Sequence, residues 1–350
     1  MILCQIINLL LYIVFHFIFV CNYIMTIVGK KKVTDGIKLD GSTGVFHKLY
    51  VDQKRAIRFP EELNIHQDSV DRTNMTEREK WLFTNLIGYF VTSELLVQNI
   101  IGESFFPYIK DPRAKQAMTA QMFMEDIHSD FFEMILNTFS MDRDTVYGLT
   151  TTNPFLYKKQ QWVAAAADAI SVGGGWVDPD TIEGKKAIIH AILMSSIIQE
   201  GIFFYSAFAL FLAVRETGKM KNVCNGIDLV LIDESMHLKL GIELILGMLE
   251  DTPEIWLDSQ FVAHIRSTII DCTQLELEFV QSQFGNGTIY DLSYAEMEQY
   301  IKYITDRRLE ELGFAPHYLI QANPLWFLQK QDLMTLQNFF EVTPNQYTNF

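Results

Sequence analysis

Apolar side chains recur every three or four positions along most of the chain between residues 74 and 312. This spacing places them on one side of an α-helix. No stretch of the sequence shows the sustained alternation of apolar and polar residues that is typical of a half-buried β-strand. The pattern therefore predicts an all-α protein.

Signals for helix ends divide this pattern into seven predicted helices. Thr76-Glu77-Arg78-Glu79 has the form of a capping box and begins the first helix, which extends to about Ile109. Asp111-Pro112 begins the second, which ends near Phe139. The others are predicted over about 153–170, 180–214, 220–249, 253–284 and 294–312. The helix that starts near residue 180 is apolar on almost every side, so we expect it at the centre of a bundle.

The regions outside the helical domain, which we assign to residues 74–325, have a different composition. Residues 30–73 contain Gly41, Gly44 and Pro60 with little periodicity, and we expect an irregular N-terminal arm there. Residues 326–350 are predicted to form a flexible C-terminal tail.

Residues 1–29 are hydrophobic, carry no Asp, Glu, Lys or Arg, and stop at Lys30-Lys31-Lys32. By composition alone they fit a membrane-spanning helix. Polar residues interrupt the segment, and Met25 offers a second start just before ordinary soluble sequence. We therefore expect an extension of the reading frame upstream of the true start, and not a membrane anchor.

Two copies of one metal-ligand pattern lie within the predicted helices. Glu94 precedes Glu125-x-x-His128, and Glu200 precedes Glu234-x-x-His237. Residues three apart share one face of a helix, so each Glu-x-x-His pair can direct a carboxylate and an imidazole at one point. Two further glutamates from neighbouring helices complete the ligand set of a carboxylate-bridged dimetal centre in a helical bundle.

The neighbours of these residues argue against the ordinary interpretation of glutamates as solvated surface charges. Gln121-Met-Phe-Met-Glu-Asp-Ile-His128 and Leu229-Val-Leu-Ile-Asp-Glu-Ser-Met-His237 place the acids among core residues, where an unpaired charge is costly. Mixed oxygen and nitrogen ligands suit iron and manganese. No cysteine lies near the pattern, which argues against a zinc-thiolate or iron–sulfur site.

Composition narrows the classes of function. The chain has 350 residues, of which 49% are hydrophobic, so it can bury one large core. Its net charge of −15 and pI near 4.9 argue against a nucleic-acid partner, since phosphates would be repelled. Four widely spaced cysteines form no disulfide framework, which favours a reducing compartment such as the cytoplasm.

At this point the chain resembles a known family, the small, radical-generating subunit of class I ribonucleotide reductase, over roughly residues 40 to 350. The resemblance implies a ferritin-like bundle whose first metal site is built by Glu94, Glu125 and His128. It implies a second site of Glu200, Glu234 and His237, with Glu125 and Glu234 bridging. Asp233 matches the family's aspartate that hydrogen-bonds a metal-bound histidine.

The C-terminal tail supports the same resemblance. Asn338-Phe339-Phe340-Glu341 followed by Tyr347 is similar to the family's C-terminal peptide, which docks in the large catalytic subunit and carries a redox-active tyrosine. The resemblance therefore implies two partners, the large subunit and a second copy of this chain in a homodimer.

One departure from the family concerns the radical site. Most members have a tyrosine four residues after the first ligand histidine, and here that residue is Phe132. Phenylalanine has no hydroxyl, so no stable oxyl radical can form on it. The chain is similar to a branch with phenylalanine at this position, whose oxidant stays on a manganese/iron centre. We therefore expect manganese with iron, followed by dimanganese or di-iron.

A second departure lies in the arm. The family usually has Trp-x-Pro-x-Glu there, whereas this chain has Arg58-Phe59-Pro60-Glu61-Glu62. The family's relay from the tail tyrosine to the metals, through that tryptophan and Asp233, would lack a link, because arginine is not reversibly oxidised and Phe59 is a poor substitute. Three explanations are open: the arm aligns differently, another aromatic residue conducts, or this chain does not perform the standard transfer.

The resemblance implies a function that needs two proteins. Oxygen or a reduced oxygen species would oxidise the dimetal centre, which would store one oxidising equivalent in a dry shell. Phe204 and Phe208, one and two turns beyond Glu200, are candidates for that shell, and ordinary core packing explains them equally well. That equivalent would pass to a cysteine of the large subunit, where ribonucleotides are reduced. The alternatives are a stand-alone dimetal oxidase acting on a small organic or quinol substrate, and a ferritin-like metal store.

Overall fold

The computed structural model describes residues 26–30, 39, 44–171, 175–285 and 287–328, and these fold into a bundle of α-helices. The helices are α1 (Val45–Ala56), α2 (Ser69–Thr73), α3 (Glu77–Ile100), α4 (Pro112–Thr138), α5 (Arg143–Thr152), α6 (Pro154–Asp168), α7 (Ile182–Ile192), α8 (Phe204–Glu216), α9 (Lys221–Asp251), α10 (Pro253–Leu257), α11 (Ser259–Phe284) and α12 (Tyr294–Glu311). Short 3₁₀ turns occupy Pro60–Glu62, Ile65–Asp68 and Phe106–Tyr108. The described part contains no β-strand, and the all-α prediction is confirmed.

Caps set the starts of the first two long helices as the sequence predicts. Thr76 and Glu79 form the capping box at the start of α3. Asp111 accepts hydrogen bonds from the backbone N–H groups of Arg113 and Ala114 at the start of α4, and Pro112 occupies its first turn. Both helices therefore begin where local side chains satisfy their free N–H groups.

Two segments of the bundle are π-helical, which the periodicity does not predict. The first is Ile101–Phe105, which follows α3. The second is Leu193–Phe203, which joins α7 to α8 and is called the π-segment below. A π-turn bonds residue i to i+5 and inserts extra residues, and such turns are frequent at functional sites.

The run from α7 through the π-segment to α8 is the central helix of the bundle, as predicted. It spans Ile182–Glu216, and an 18-residue window has a mean hydropathy of 1.8, enough by composition to cross a membrane. That window is 94% buried inside the protein, so the helix is a core element. Among the described residues it is the one helix that is long and apolar enough for this test.

The predicted irregular arm is wrong for part of its length. Val45–Ala56 forms the helix α1, which packs along α4. Val45, Phe46, Leu49 and Tyr50 recur there at helical spacing, but the neighbouring Gly44 and Pro60 masked this pattern. A second helix that the sequence did not reveal, α5, packs on α3 between two predicted helices.

Some predictions fall on residues outside the described ranges. These are most of residues 1–29 and nearly all of the tail, from 329 to 350. The described end of the first segment lies against the bundle. There the Ile27 N–H donates to Asp251 at 2.6 Å, and Val28 pairs with Ile109.

The π-segment and α9 approach each other closely at Gly241. A Cβ built on Gly241 would lie 2.2 Å from the Cβ of Ser196. Real Cβ atoms do not come this close, so the glycine is what allows the two backbones to meet here. This contact brings together the two elements that carry Glu200 and Glu234.

We expect Gly241→Ala to destabilise the protein by about 1–3 kcal/mol, because an added methyl in a packed core forces its neighbours apart. The measurement is the midpoint of urea unfolding on the metal-free chain. Gly148→Ala in α5 is the matched control: its Cβ would meet nothing within 4 Å, and alanine favours the helix by up to about 1 kcal/mol. An equal response of both variants would contradict the close contact.

A second feature of the core is a fully buried ion pair between α6 and α11. Lys159 Nζ lies 2.7 Å from Glu276 Oε2, and both side chains are inaccessible to solvent. Ser206 also donates to Glu276. The ammonium is enclosed by three aromatic rings, those of Tyr89, Phe203 and Phe279, with ring centroids 4.0–4.6 Å from Nζ.

Candidate metal centre

The two Glu-x-x-His pairs are carried by the long helices α4 and α9. Glu125 and His128 lie three residues apart on α4, and Glu234 and His237 are likewise spaced on α9. Each pair therefore faces one side of its helix. The remaining acids come from other elements, Glu94 from α3 and Glu200 from the π-segment.

The structure brings all six side chains together in two overlapping groups. One contains Glu94, Glu125, His128 and Glu234, and the other contains Glu125, Glu200, Glu234 and His237. Within each group the possible ligand atoms lie within 4.8 Å of one another. Glu125 and Glu234 belong to both groups, which is the placement that a bridging carboxylate requires. These six residues are called the cage below.

The two histidines direct the same nitrogen into the cage. His128 Nδ1 lies 3.1 Å from Glu234 Oε1 and 3.4 Å from Glu125 Oε2. His237 Nδ1 lies 2.9 Å from Glu125 Oε1 and 3.4 Å from Glu234 Oε2. The ring centroids are 5.8 Å apart. All six side chains are at most 2% exposed, so none of them is a solvated surface charge.

The chemistry of the cage fits two divalent cations. Both oxygens of Glu94, Glu125 and Glu234 and the Nδ1 atoms of both histidines are buried without a hydrogen-bond partner, although they approach one another. Their lone pairs converge with no donor between them. Four buried carboxylates carry a formal charge of −4, which two divalent ions would cancel. Without that compensation the burial of these charges would be strongly unfavourable.

The pKa shifts of the cage residues also indicate that the cage needs bound cations. Burial raises the pKa of Glu94 and of Glu200 well above the usual range, and repulsion from Glu234 and Glu125 adds to it. Burial alone would lower the pKa of His128, but the carboxylates around it raise that pKa well above its ordinary value. Without metal the cage therefore holds protons in place of cations.

Asp233, which precedes Glu234 on α9, orients His128. Its Oδ2 lies 3.2 Å from His128 Nε2, on the side of the ring away from the cage. A carboxylate there fixes the N–H on Nε2 and leaves the Nδ1 lone pair free for a metal. Burial raises the pKa of Asp233, while His128 lowers it.

Gln121 makes a further contact with the cage that was not predicted. Its Nε2 donates to Glu200 Oε1 at 2.8 Å, and the glutamine is 3% exposed. Gln121 lies one turn before Glu125 on α4, and this spacing was the one signal that could have identified it. The hydrogen bond holds one oxygen of Glu200 and leaves the other free.

Phe132 lies one turn beyond His128 in a shell of aromatic rings. It stacks on Phe90 with centroids 4.8 Å apart and planes 3° from parallel, and Phe208 stacks on the same ring at 5.0 Å. Phe204 contacts Phe90 at 5.2 Å. All four rings are at most 1% exposed. These rings are therefore buried and apolar, and residue 132 carries no hydroxyl.

The structure describes the arm positions at which the family's relay would lack a link, but not the tail. Phe59 is 49% exposed, and Arg58 Nη1 donates to the backbone carbonyls of Ile57 and Arg55. Tyr347 lies outside the described residues. The two positions of the arm that replace the family's tryptophan region thus take part in local contacts.

Comparison with known proteins identifies relatives of the whole bundle. A family model described as "Ribonucleotide reductase, small chain" matches residues 44–324. Among curated proteins, the ribonucleoside-diphosphate reductase subunit beta of Chlamydia pneumoniae is 31% identical over 282 residues, covering 78% of this chain and 78% of that protein.

Solved structures share the fold. The ribonucleotide reductase R2 subunit from Clostridium botulinum superposes with a TM-score of 0.78 at 20% identity, covering 89% of this chain and 94% of that one. An R2-like ligand-binding oxidase with an aerobically reconstituted Mn/Fe cofactor gives a TM-score of 0.60 at 18% identity, covering 78% of this chain and 95% of that one.

Proposed function

This chain belongs to the ribonucleotide reductase small-chain family, and from that membership and the geometry of the cage we propose how it serves the reductase. It is the small subunit of a ribonucleoside-diphosphate reductase, an oxidoreductase that works with a large subunit. The observation that carries the proposal is the convergence of six buried ligands, two of them shared between two metal positions.

We assign Glu94, Glu125 and His128 to the first metal ion and Glu200, Glu234 and His237 to the second. When bound, the metal pair would supply an oxidant that removes one electron at a distance and later returns that electron. The chain's own residues hold, orient and enclose that pair. Glu125 and Glu234 span both positions, and Asp233 keeps the Nδ1 atom of His128 directed at the first ion.

The metals are proposed to be manganese and iron, with dimanganese or di-iron next. Phe132 supports this choice, since the ring beside the cage has no hydroxyl on which to keep an oxidising equivalent. The apolar shell of Phe90, Phe204 and Phe208 keeps bulk solvent from that side. The ligand-binding oxidase that shares the fold is named with a Mn/Fe cofactor, which suits the same interpretation.

The oxidising equivalent is proposed to leave for a cysteine of the large subunit, which binds the ribonucleotide. The segment from Asn338 to Glu341 would dock on that subunit, and Tyr347 would carry the equivalent across. Asp233 would be the inner end of the route. The position of Arg58 supports a route that differs from the family's standard one, because no oxidisable side chain occupies it.

We place the protein in the cytoplasm as a homodimer without a nucleic-acid partner. The widely spaced cysteines and the net charge of −15 support this. A size measurement in solution distinguishes a dimer from the large hollow shell that a ferritin-like store would form.

Reconstitution tests the function. The metal-free chain is loaded with manganese and iron in the presence of oxygen, mixed with the cognate large subunit, and assayed for deoxynucleotide formation. We expect turnover that requires both proteins. Absence of turnover with every metal combination would overturn the reductase function. Oxidation of a small organic or quinol substrate by this chain alone would instead support a stand-alone oxidase.

Tyr347→Phe tests the tail in the same assay. We expect turnover to fall to background, because phenylalanine cannot lose a hydrogen atom reversibly, while the bound metal remains at the wild-type amount. Tyr157→Phe is the control, since Tyr157 lies on α6 with half of its surface exposed. Wild-type turnover by Tyr347→Phe would exclude Tyr347 from the route.

A further inference from the structure

Arg308 on α12 is a buried arginine that contacts the backbone next to a cage residue. It is 5% exposed, and its Nε donates to the carbonyl oxygen of Gly201 at 2.9 Å. Gly201 directly follows Glu200 in the π-segment. No local sequence pattern connects Arg308 with Gly201, because the two residues are 107 positions apart.

Two further contacts fix the plane of this guanidinium. Arg308 Nη1 donates to Glu311 Oε2 at 2.9 Å, one turn further along α12. Its central carbon lies 4.8 Å from the ring centroid of Tyr205. A planar guanidinium held on an aromatic face and by a carboxylate presents its Nε–H in one direction. The arginine is therefore a rigid link between α12 and the π-segment.

Gly201 makes this link possible. A Cβ at this position would lie 3.1 Å from Arg308 Nε and 3.3 Å from its Cδ. It would also lie 2.9 Å from Leu238 Cδ1, and Leu238 follows the cage residue His237. Three elements thus meet at the residue after Glu200, and the absence of a side chain there lets them do so.

The hydrogen bond from Arg308 to Gly201 lies where the backbone is π-helical and in need of stabilisation. A π-turn is less favourable than an α-turn and is kept only where something compensates for it. If the π-segment relaxed to regular α-helical bonding, its register would shift by one residue. One residue corresponds to about 100° of rotation in an α-helix. Such a rotation would turn Glu200 out of the cage.

We propose that Arg308 is a positioning residue that holds the π-turn at Gly201 and thereby keeps Glu200 directed at the second metal ion. This role rests on the metal centre proposed above. We therefore expect Arg308 to affect the affinity for the second ion and not for the first. The ligands of the first ion, Glu94, Glu125 and His128, lie on helices that the bond from Arg308 to Gly201 does not reach. Outer residues that orient metal ligands typically contribute about 10- to 100-fold to metal affinity.

The test is titration of the metal-free full-length chain with Mn(II), followed by electron paramagnetic resonance. We expect the wild type to bind two ions and to give the spectrum of a magnetically coupled pair. We expect Arg308→Met to keep the first ion at wild-type affinity and to bind the second about 10- to 100-fold more weakly. Its spectrum would be that of isolated Mn(II).

Two further variants separate positioning from general stability. Arg308→Lys retains a donor that can reach the carbonyl but cannot also hold Glu311, so the second affinity should lie between wild type and Arg308→Met. Arg307→Met is the matched control: Arg307 is adjacent on α12, its side chain is 47% exposed, and it pairs with Glu310 on the surface. It should bind both ions as the wild type does.

Several results would overturn the role of Arg308. These are unchanged binding of both ions by Arg308→Met, an equal loss at both positions, and no recovery with lysine. If Arg308→Met does not fold, Arg308→Lys decides alone, and wild-type affinity for the second ion would reject the role. A wild-type chain that bound no Mn(II) would overturn the metal centre itself and this role with it.

Discussion

Glu234→Gln loses the ability to hold two metal ions at once. Glu234 belongs to both ligand groups and its side chain is fully buried, so one change affects both positions. The amide has the shape of the carboxylate but only one acceptor oxygen and no charge. We expect the affinity for the second bound ion to fall more than about 100-fold. This is a larger fall than the loss of an outer residue that only orients a ligand would cause. Deoxynucleotide formation falls to background.

The measurement is metal content per chain after loading with manganese and iron, together with turnover in the presence of the large subunit. Glu243→Gln is the matched control, because Glu243 lies on the same helix α9, 23% exposed, in a surface pair with Lys239. It should retain both ions. A Glu234→Gln variant with two tightly bound ions would show that Glu234 does not bridge.

Lys159→Met destabilises the protein by about 3–5 kcal/mol at neutral pH, because Glu276 is left buried without a cation. Methionine fills a similar space, so the loss is electrostatic and not a cavity effect. The measurement is urea unfolding of the metal-free chain. Lys158→Met, the adjacent exposed lysine on α6, should change stability by less than about 1 kcal/mol.

The destabilisation in Lys159→Met should depend on pH. Burial raises the pKa of Glu276 above its ordinary value of 4.5, and Lys159 lowers it, so removing the lysine raises it further. A carboxyl with a raised folded-state pKa prefers the protonated form when folded. Its contribution to the free energy of unfolding is fully present below the ordinary pKa. That contribution is lost as the pH rises through the pKa of the folded state. The deficit should therefore be smallest near pH 4 and grow towards pH 7.

A double variant separates this effect from simple loss of packing. Lys159→Met combined with Glu276→Gln removes both charges and should recover much of the lost stability. If the double variant is no more stable than Lys159→Met, the buried charge on Glu276 is not the cause of the destabilisation.

The sequence predicted those parts of the fold that depend on local interactions. The capping box at Thr76 and the Asp111-Pro112 start depend on neighbours within four residues, and both helices begin where predicted. The cage was predictable for the same reason. Each Glu-x-x-His spacing is a property of a single helix. Because the pattern occurs twice, it also identified the second helix that supplies ligands.

The parts that the sequence did not predict depend on contacts between distant residues. The π-segment looks like an ordinary apolar helix in the periodicity, and its close contacts, at Gly201 with α12 and at Gly241 with α9, join residues far apart in the sequence. The bonds of Gln121 to Glu200 and of Arg308 to Gly201 join residues on separate elements. The helix α1 is an exception, since Val45, Phe46, Leu49 and Tyr50 recur at helical spacing and the neighbouring Gly44 and Pro60 masked that local pattern.

The Lys159 ammonium affects which of the neighbouring aromatic rings can be oxidised. A cation facing a ring attracts its π-electrons and makes ionisation of that ring harder. Tyr89, fully enclosed, has the ammonium 4.0 Å from its ring centroid and contacts Phe90 of the stack beside the cage. Oxidation of the Tyr89 phenol would thereby be disfavoured, so an oxidising equivalent that left the proposed metal centre would not be trapped on this side of the bundle.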